Sequence, residues 1–198
     1  MNVLLETAKA EITIKNSRFI AEVFSAANQK SAREILKKQK ALYFDARHVV
    51  HAFVIGNNKE ILGMSDDGEP PGTAGRPVLD VLKGSGITNV VLTVSRYFGG
   101  TLLGTGGLVK AYGAAAKAVL SIASTEPLVE KKQFSFSVSY SLYENTKLLL
   151  NRLNATDLCE KFETSIHING NIPLANAKEL LENVFDLTKG SQTVIFDE

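Results

Sequence analysis

The sequence has one cysteine, three histidines, five prolines and no long apolar run, and each shortage closes off a class of function. Cys159 stands alone, so it forms neither an internal disulfide nor a cysteine-based zinc site, which fits a reducing compartment. Residues 1–10 lack a basic start followed by an apolar stretch, so no secretory leader is expected. Nothing approaches the roughly 18–20 apolar residues of a membrane span, and a cytoplasmic protein with no membrane partner is expected. His48 and His51 lie an odd number of residues apart in a predicted strand, which points them to opposite faces. With His167 far away in sequence, no metal is expected. The charged residues nearly cancel, leaving +1 overall, so any anion-binding surface is a local patch. Up to Glu130 there are 15 basic and 12 acidic residues, and after it 7 and 9, which favours the first part for such a patch.

What is present is an ordinary globular chain of 198 residues, 44% hydrophobic, enough for one or two domains. Strands are predicted at 11–14 and 19–25 around a turn at Asn16, Ser17 and Arg18. A helix follows over 28–40, a strand over 47–55, and a hairpin partner over 60–64. Residues 65–75 have loop composition. A short helix over 76–83 carries Pro77 in its first turn, and 89–95 reads as a central strand. Residues 97–107 are glycine-rich. In the helix over 108–123, Leu108, Ala111, Tyr112, Ala115 and Val119 share one apolar face. A connector is read around 124–132. Beyond it the order strand, helix, strand, strand, helix, strand over 133–198 is the signature of a ferredoxin-like sandwich. Two domains are therefore expected, 1–126 and 133–198, in an α+β chain.

Two segments carry candidate chemistry. In the first, a buried strand ending at Arg96 and Tyr97 feeds a loop with five glycines before a helix. Glycine admits close approach to backbone amides, and the first turn of a helix has unpaired N–H groups and a partial positive charge. Such a start suits a phosphate. Gly104, Thr105, Gly106 and Gly107 are the candidate cradle, with Arg96 and Lys110 flanking and Arg76 nearby in sequence; Tyr97 and Phe98 beside Arg96 are candidates to stack on bases or to pack in the core. The same glycines also suit tight strand–helix packing, and both readings stand. The segment is not a P-loop, since no Gly-Lys-Ser/Thr closes it, nor does it follow the dinucleotide fingerprint. In the second segment, Asp66, Asp67 and Glu69 are available as metal ligands or as acid and base, or as carboxylates that cap a turn; their spacing does not match a calcium loop. His48 is a further candidate. No cofactor and no catalytic residue can be assigned.

Several runs in order carry a family resemblance: Asn16-Ser17-Arg18-Phe19-Ile20-Ala21, Ala46-Arg47-His48 with His51-Ala52-Phe53, Ser65-Asp66-Asp67-Gly68-Glu69-Pro70 with Gly72-Thr73-Ala74-Gly75, Arg96-Tyr97-Phe98-Gly99-Gly100, and the stretch from Leu103 to Gly113. Over its first two-thirds the chain resembles the IMPACT family, and the remainder looks like the extra domain of bacterial members. Val50 departs from a position where the family often has cysteine, which argues against a required thiol there. The resemblance implies an N-terminal α/β sandwich like the second domain of a small-subunit ribosomal protein. It also implies a ferredoxin-like C-terminal domain like the fifth domain of elongation factor G. It implies that eukaryotic members are translational regulators, which bind the activating partner of a starvation-responsive initiation-factor kinase. The leading expectation is thus a non-enzymatic, translation-linked protein whose glycine-rich loops contact RNA, the ribosome or a translation-regulatory protein. The alternative is a small-molecule enzyme holding a phosphate-containing substrate at the helix start over 104–107.

Overall fold

The computed structural model describes residues 1–197. The chain divides into two compact units, Met1–Leu128 and Val129–Glu198. The first unit runs β1 (Asn2–Leu4), β2 (Ala8–Ile14), β3 (Ser17–Ser25), α1 (Gln29–Leu42), β4 (His48–Ile55), β5 (Ile61–Ser65), α2 (Gly75–Gly84), β6 (Ile87–Thr88), β7 (Val90–Tyr97), α3 (Thr105–Ile122) and β8 (Thr125–Pro127).

Five of these strands form an antiparallel sheet in the order β2-β3-β7-β4-β5, with the apolar β7 at its centre. The β2–β3 hairpin closes tightly because Lys15 and Asn16 both take positive φ, 46° and 63°, as a two-residue turn of matching twist requires. Strand alternation then sorts the side chains. Phe19, Ala21 and Val23 of β3, Val50, Ala52 and Val54 of β4, and Val90, Leu92 and Val94 of β7 face one side. There they pack on Val78 and Leu82 of α2 and on Leu108, Ala111, Tyr112, Ala115 and Val119 of α3. On the other side α1 covers Ile55 and Val91 through Ala32, Ile35 and Leu36. Asn28 starts α1 with a reciprocal cap: its side chain accepts from the Ser31 N–H, and its own N–H donates to the Ser31 hydroxyl.

A second, three-stranded sheet, β6-β1-β8, is too short to show any sequence periodicity. It takes residues 125–127 out of the connector and pairs them antiparallel with β1.

The second unit runs β9 (Lys131–Val138), α4 (Tyr143–Arg152), β10 (Thr156–Phe162), β11 (Ile166–Pro173), α5 (Ala177–Leu187) and β12 (Ile195–Phe196). Its antiparallel sheet has the order β12-β9-β11-β10, which is the ferredoxin-like arrangement of a split β-α-β pair. Phe134, Phe136, Val138, Ile166, Ile168 and Ile172 point to one face and bury Leu150, Leu180 and Val184 of the helices. The fold class is α+β throughout.

Candidate functional site

The pairing of β4 with β7 sets His48 directly opposite Arg96, both on the face that carries α3. Two loops meet above this pair, residues 66–74 between β5 and α2 and residues 98–104 between β7 and α3. Each is fixed by a different carboxylate or glycine.

The first loop is held by its acidic residues. Asp66 accepts hydrogen bonds from the N–H groups of Gly72 (2.9 Å), Ala74 (3.0 Å) and Gly75 (2.8 Å), and so caps the start of α2 from upstream. Partial burial raises its pKa, but those three N–H donors outweigh it and hold the carboxyl below its ordinary value. Asp67 accepts from the Val49 N–H at 2.7 Å and pairs with Lys40 of α1. Burial acts against its ionisation as well, and the Lys40 ammonium with the Val49 N–H brings the net shift below the usual carboxylate value. The Asp67 carbonyl lies 2.8 Å from His48 Nδ1. A carbonyl only accepts, so Nδ1 carries the hydrogen, and in the neutral ring Nε2 keeps its lone pair.

Glu69 is different: its side chain is 3% exposed. Its Oε1 accepts from Arg96 Nη1 at 2.6 Å and from the Tyr112 hydroxyl at 2.7 Å, while Oε2 lies 3.9 Å from His48 Nε2. Burial, with Glu69 beside it, pushes the Tyr112 phenol up, so it remains a donor across the physiological range. The Arg96 guanidinium sits against two rings, 5.6 Å from the centre of Phe19 and 5.7 Å from that of Phe98. Its Nε is buried and finds no partner among the described residues.

The second loop is held by glycines. A side chain at Gly99 would run into the backbone of Asn16 and Ser17, so the loop lies directly on the β2–β3 hairpin. Gly104 takes φ 71° at the cap position of α3. The first bond of that helix runs from the Leu108 N–H to the Gly104 carbonyl at 2.9 Å, and among the described residues no side chain caps the amides of Thr105, Gly106 and Gly107. Gly106 has neither constraint: its φ is not positive, and a Cβ there meets no atom within 4 Å.

Between the loops lies a cavity of about 640 Å³. Arg47, His48, Glu69, Arg96, Gly104 and Thr105 give it polar groups, and Pro70, Phe98, Leu102, Leu103 and Leu108 give it an apolar wall. Arg47 is exposed and forms no ion pair among the described residues. The Arg96–Glu69 pair neutralises itself, so the surplus positive charge comes from Arg47 and the α3 start.

Of the sequence candidates, Arg96, Glu69, His48, Gly104 and Thr105 line this cavity. Gly106 and Gly107 follow in the first turn of α3 without lining it, and Lys110 is exposed further along the helix. Asp66 and Asp67 brace the loop from behind. Tyr97 stands on the α1 face, because adjacent strand residues point to opposite sides. There it donates to Asp45 at 2.8 Å and lies under the Arg18 guanidinium. Arg76 is engaged on the surface of α2 with Asp80, four residues on, at 2.9 Å. Arg47 and the leucines of the apolar wall escaped the sequence reading. The available signal was apolar residues in a glycine-rich loop, Phe98 beside Arg96 and then Leu102 and Leu103. Among the described residues no group of three or more His, Cys, Asp or Glu is arranged to hold a metal ion, and no helix is long and apolar enough to cross a membrane.

Comparison with known proteins fits this geometry into a family. The model of the Impact N-terminal domain matches residues 15–120, which include both loops and the cavity. The IMPACT family member YigZ of Escherichia coli K12 is 34% identical over 180 residues, covering 90% of this chain and 88% of that protein. An IMPACT family member of Haemophilus influenzae is 38% identical over 160 residues, 80% of this chain and 78% of the relative. A crystal structure of a hypothetical protein superposes with a TM-score of 0.76 at 31% identity, covering all of this chain and 97% of the other. The chain belongs to the IMPACT family.

Proposed function

We propose that the chain is a translation-linked, cytoplasmic binding protein that grips phosphate groups of RNA, free or on the ribosome, at the cavity where α3 begins. The observation that carries this reading is the meeting of donors without partners among the described residues: the amide of Thr105, with those of Gly106 and Gly107 next to it in the first turn of α3, and the unpaired guanidinium of Arg47 at the same cavity. A helix start of this kind attracts anions, and a guanidinium adds paired, charge-assisted hydrogen bonds. Gly106 supports it too, since neither packing nor backbone conformation demands a glycine there. The link to translation comes from the family, whose eukaryotic members the resemblance identifies as translational regulators.

A second reading has its own observation. The cavity is concave and holds His48 Nε2 beside a buried carboxylate, as an enzyme acting on a small phosphate-containing substrate would.

The test is co-sedimentation with ribosomes at low and moderate salt, with crosslinking of the bound fraction. RNA contact predicts binding that weakens as salt rises, because counterion release loses its drive. It also predicts crosslinks on Arg47 and the 98–104 loop. A chain left in the supernatant at both salt concentrations, and unable to bind free RNA, contradicts it. Crosslinks to a protein alone redirect the reading to a regulatory partner.

A further inference from the structure

The cavity holds hydrogen-bond acceptors as well as donors, and the two sets suit different parts of one ligand. The donors are the amide of Thr105, which lines the cavity with those of Gly106 and Gly107 behind it in the first turn of α3, and the guanidinium of Arg47. The acceptors are Glu69 Oε2, which accepts no hydrogen bond from the described residues, and, in the neutral ring whose Nδ1 hydrogen faces the Asp67 carbonyl, His48 Nε2. The same cavity has an apolar wall that includes the ring of Phe98, 48% exposed.

An internal phosphodiester carries one charge and two free oxygens, and makes little use of so many donors. A terminal phosphate has three free oxygens and a charge of about −1.5 to −2 at neutral pH, and matches them better. The acceptors face the opposite need: a carboxylate oxygen and an imidazole nitrogen call for O–H or N–H groups on the ligand. The wall calls for a flat apolar body, and an exposed aromatic edge is the usual partner of a nucleobase. At about 640 Å³ the cavity has the volume of a small-molecule site.

We infer that the cavity is a site for a nucleoside monophosphate unit, either free or as the 5′-phosphorylated end of an RNA. The phosphate sits on the α3 amides and Arg47, the base lies against Phe98 and the leucines, and a sugar hydroxyl or base N–H donates to Glu69 and His48. This rests on the reading of the cavity as a phosphate site and names what carries the phosphate.

The test is titration calorimetry on the full chain with AMP, CMP, GMP and UMP, the matching nucleosides, inorganic phosphate, and one short RNA in 5′-phosphorylated and 5′-hydroxyl forms. At least one monophosphate is expected to bind about tenfold or more tighter than its nucleoside and than inorganic phosphate, a gap of ~1.4 kcal/mol. The phosphorylated RNA should exceed the hydroxyl form by a similar factor. Arg47→Ala, at an exposed position where the fold is not at stake, should erase both differences with an unchanged melting temperature. Preference for the phosphorylated RNA without binding of any monophosphate assigns the RNA source, and the reverse assigns the free nucleotide. Equal binding of the two RNAs, with no monophosphate bound, overturns the inference and leaves RNA contact standing. Inorganic phosphate bound as tightly as every monophosphate overturns it as well. No binding of RNA or of any nucleotide overturns both the inference and the function proposed above.

Discussion

Replacing Gly106 with alanine separates packing from ligand contact, because the two predict opposite results. Gly106 is the second residue of α3, its φ is not in the positive range, and a Cβ built there meets no atom within 4 Å. Alanine therefore fits without strain and removes the backbone entropy that glycine loses on folding. The gain is about 1 kcal/mol in a helix interior and about half that in a first turn, so Met1–Leu128 should become about 0.5 kcal/mol more stable. The same methyl group stands among the uncapped amides and keeps an anion from closing on them. A helix-end contribution of roughly 0.3–1 kcal/mol plus one charge-assisted hydrogen bond of about 1.5–3 kcal/mol is then at risk, a loss of about twenty- to several-hundredfold in affinity. Urea unfolding followed on NMR signals of the first unit, such as that of Val94, reads stability there without mixing in the second unit. RNA binding is measured on the same sample. Destabilisation by more than ~1 kcal/mol would reveal a packing need that the structure does not contain. Stabilisation with unchanged affinity would leave the glycine without a role in binding.

Glu69→Ala strands Arg96 in the interior and should cost about 3–5 kcal/mol, whereas Tyr112→Phe removes one hydrogen bond to a carboxylate and should cost about 1–3 kcal/mol; urea unfolding checks both, and a loss under ~1 kcal/mol for Glu69→Ala contradicts the buried network. Asp66→Ala should cost about 1–2 kcal/mol through the lost cap. Because the folded pKa of Asp66 is lowered, its stabilisation is complete above the ordinary value of 3.8 and lost as pH falls through the lowered one. Asp66→Asn should accordingly flatten the acid limb of a melting-temperature profile, and an unchanged limb refutes the assignment. His51 faces α1 with Nδ1 buried and unpaired, and burial, with Lys40 nearby, lowers its pKa from 6.5 against a smaller pull from Asp67. Its neutral form is the folded one, so stability is complete above pH 6.5 and declines as pH falls toward the lowered value; His51→Leu should remove that decline in thermal melts taken downward from pH 6.5.

Most of the elements were legible because their signals are local. Asn16 marks the hairpin turn, Asn28 caps α1, and the apolar run at 90–95 proclaims a strand buried on both faces. α3 begins at Thr105 rather than at 108, since Gly106 and Gly107 read as breakers although the helix start tolerates them. The sheet of β1, β6 and β8 left no trace, because strands of two or three residues draw their stability from partners far away in the chain. For the site, the glycine loop and Arg96 stood out, yet which side chains meet there depends on register. The pairing of His48 with Arg96 brings Arg47 to the cavity rim, and the alternation that buries Arg96 turns Tyr97 away. The burial of Glu69 was hidden for a similar reason. A carboxylate in a run of Asp, Gly and Pro reads as solvated, and only its two partners, 27 and 43 residues on, make it an interior group.

The most direct measurement follows the backbone amides at the α3 start by ¹H–¹⁵N correlation spectroscopy while a 5′-phosphorylated RNA is added at low salt. Phosphate binding at the cavity predicts saturable shifts centred on Thr105, Gly106 and Gly107, with Arg47 and Phe98 following at the same concentrations and all of them reversed by salt. Binding that leaves those three amides unmoved, or that shifts only residues elsewhere in the chain, contradicts it.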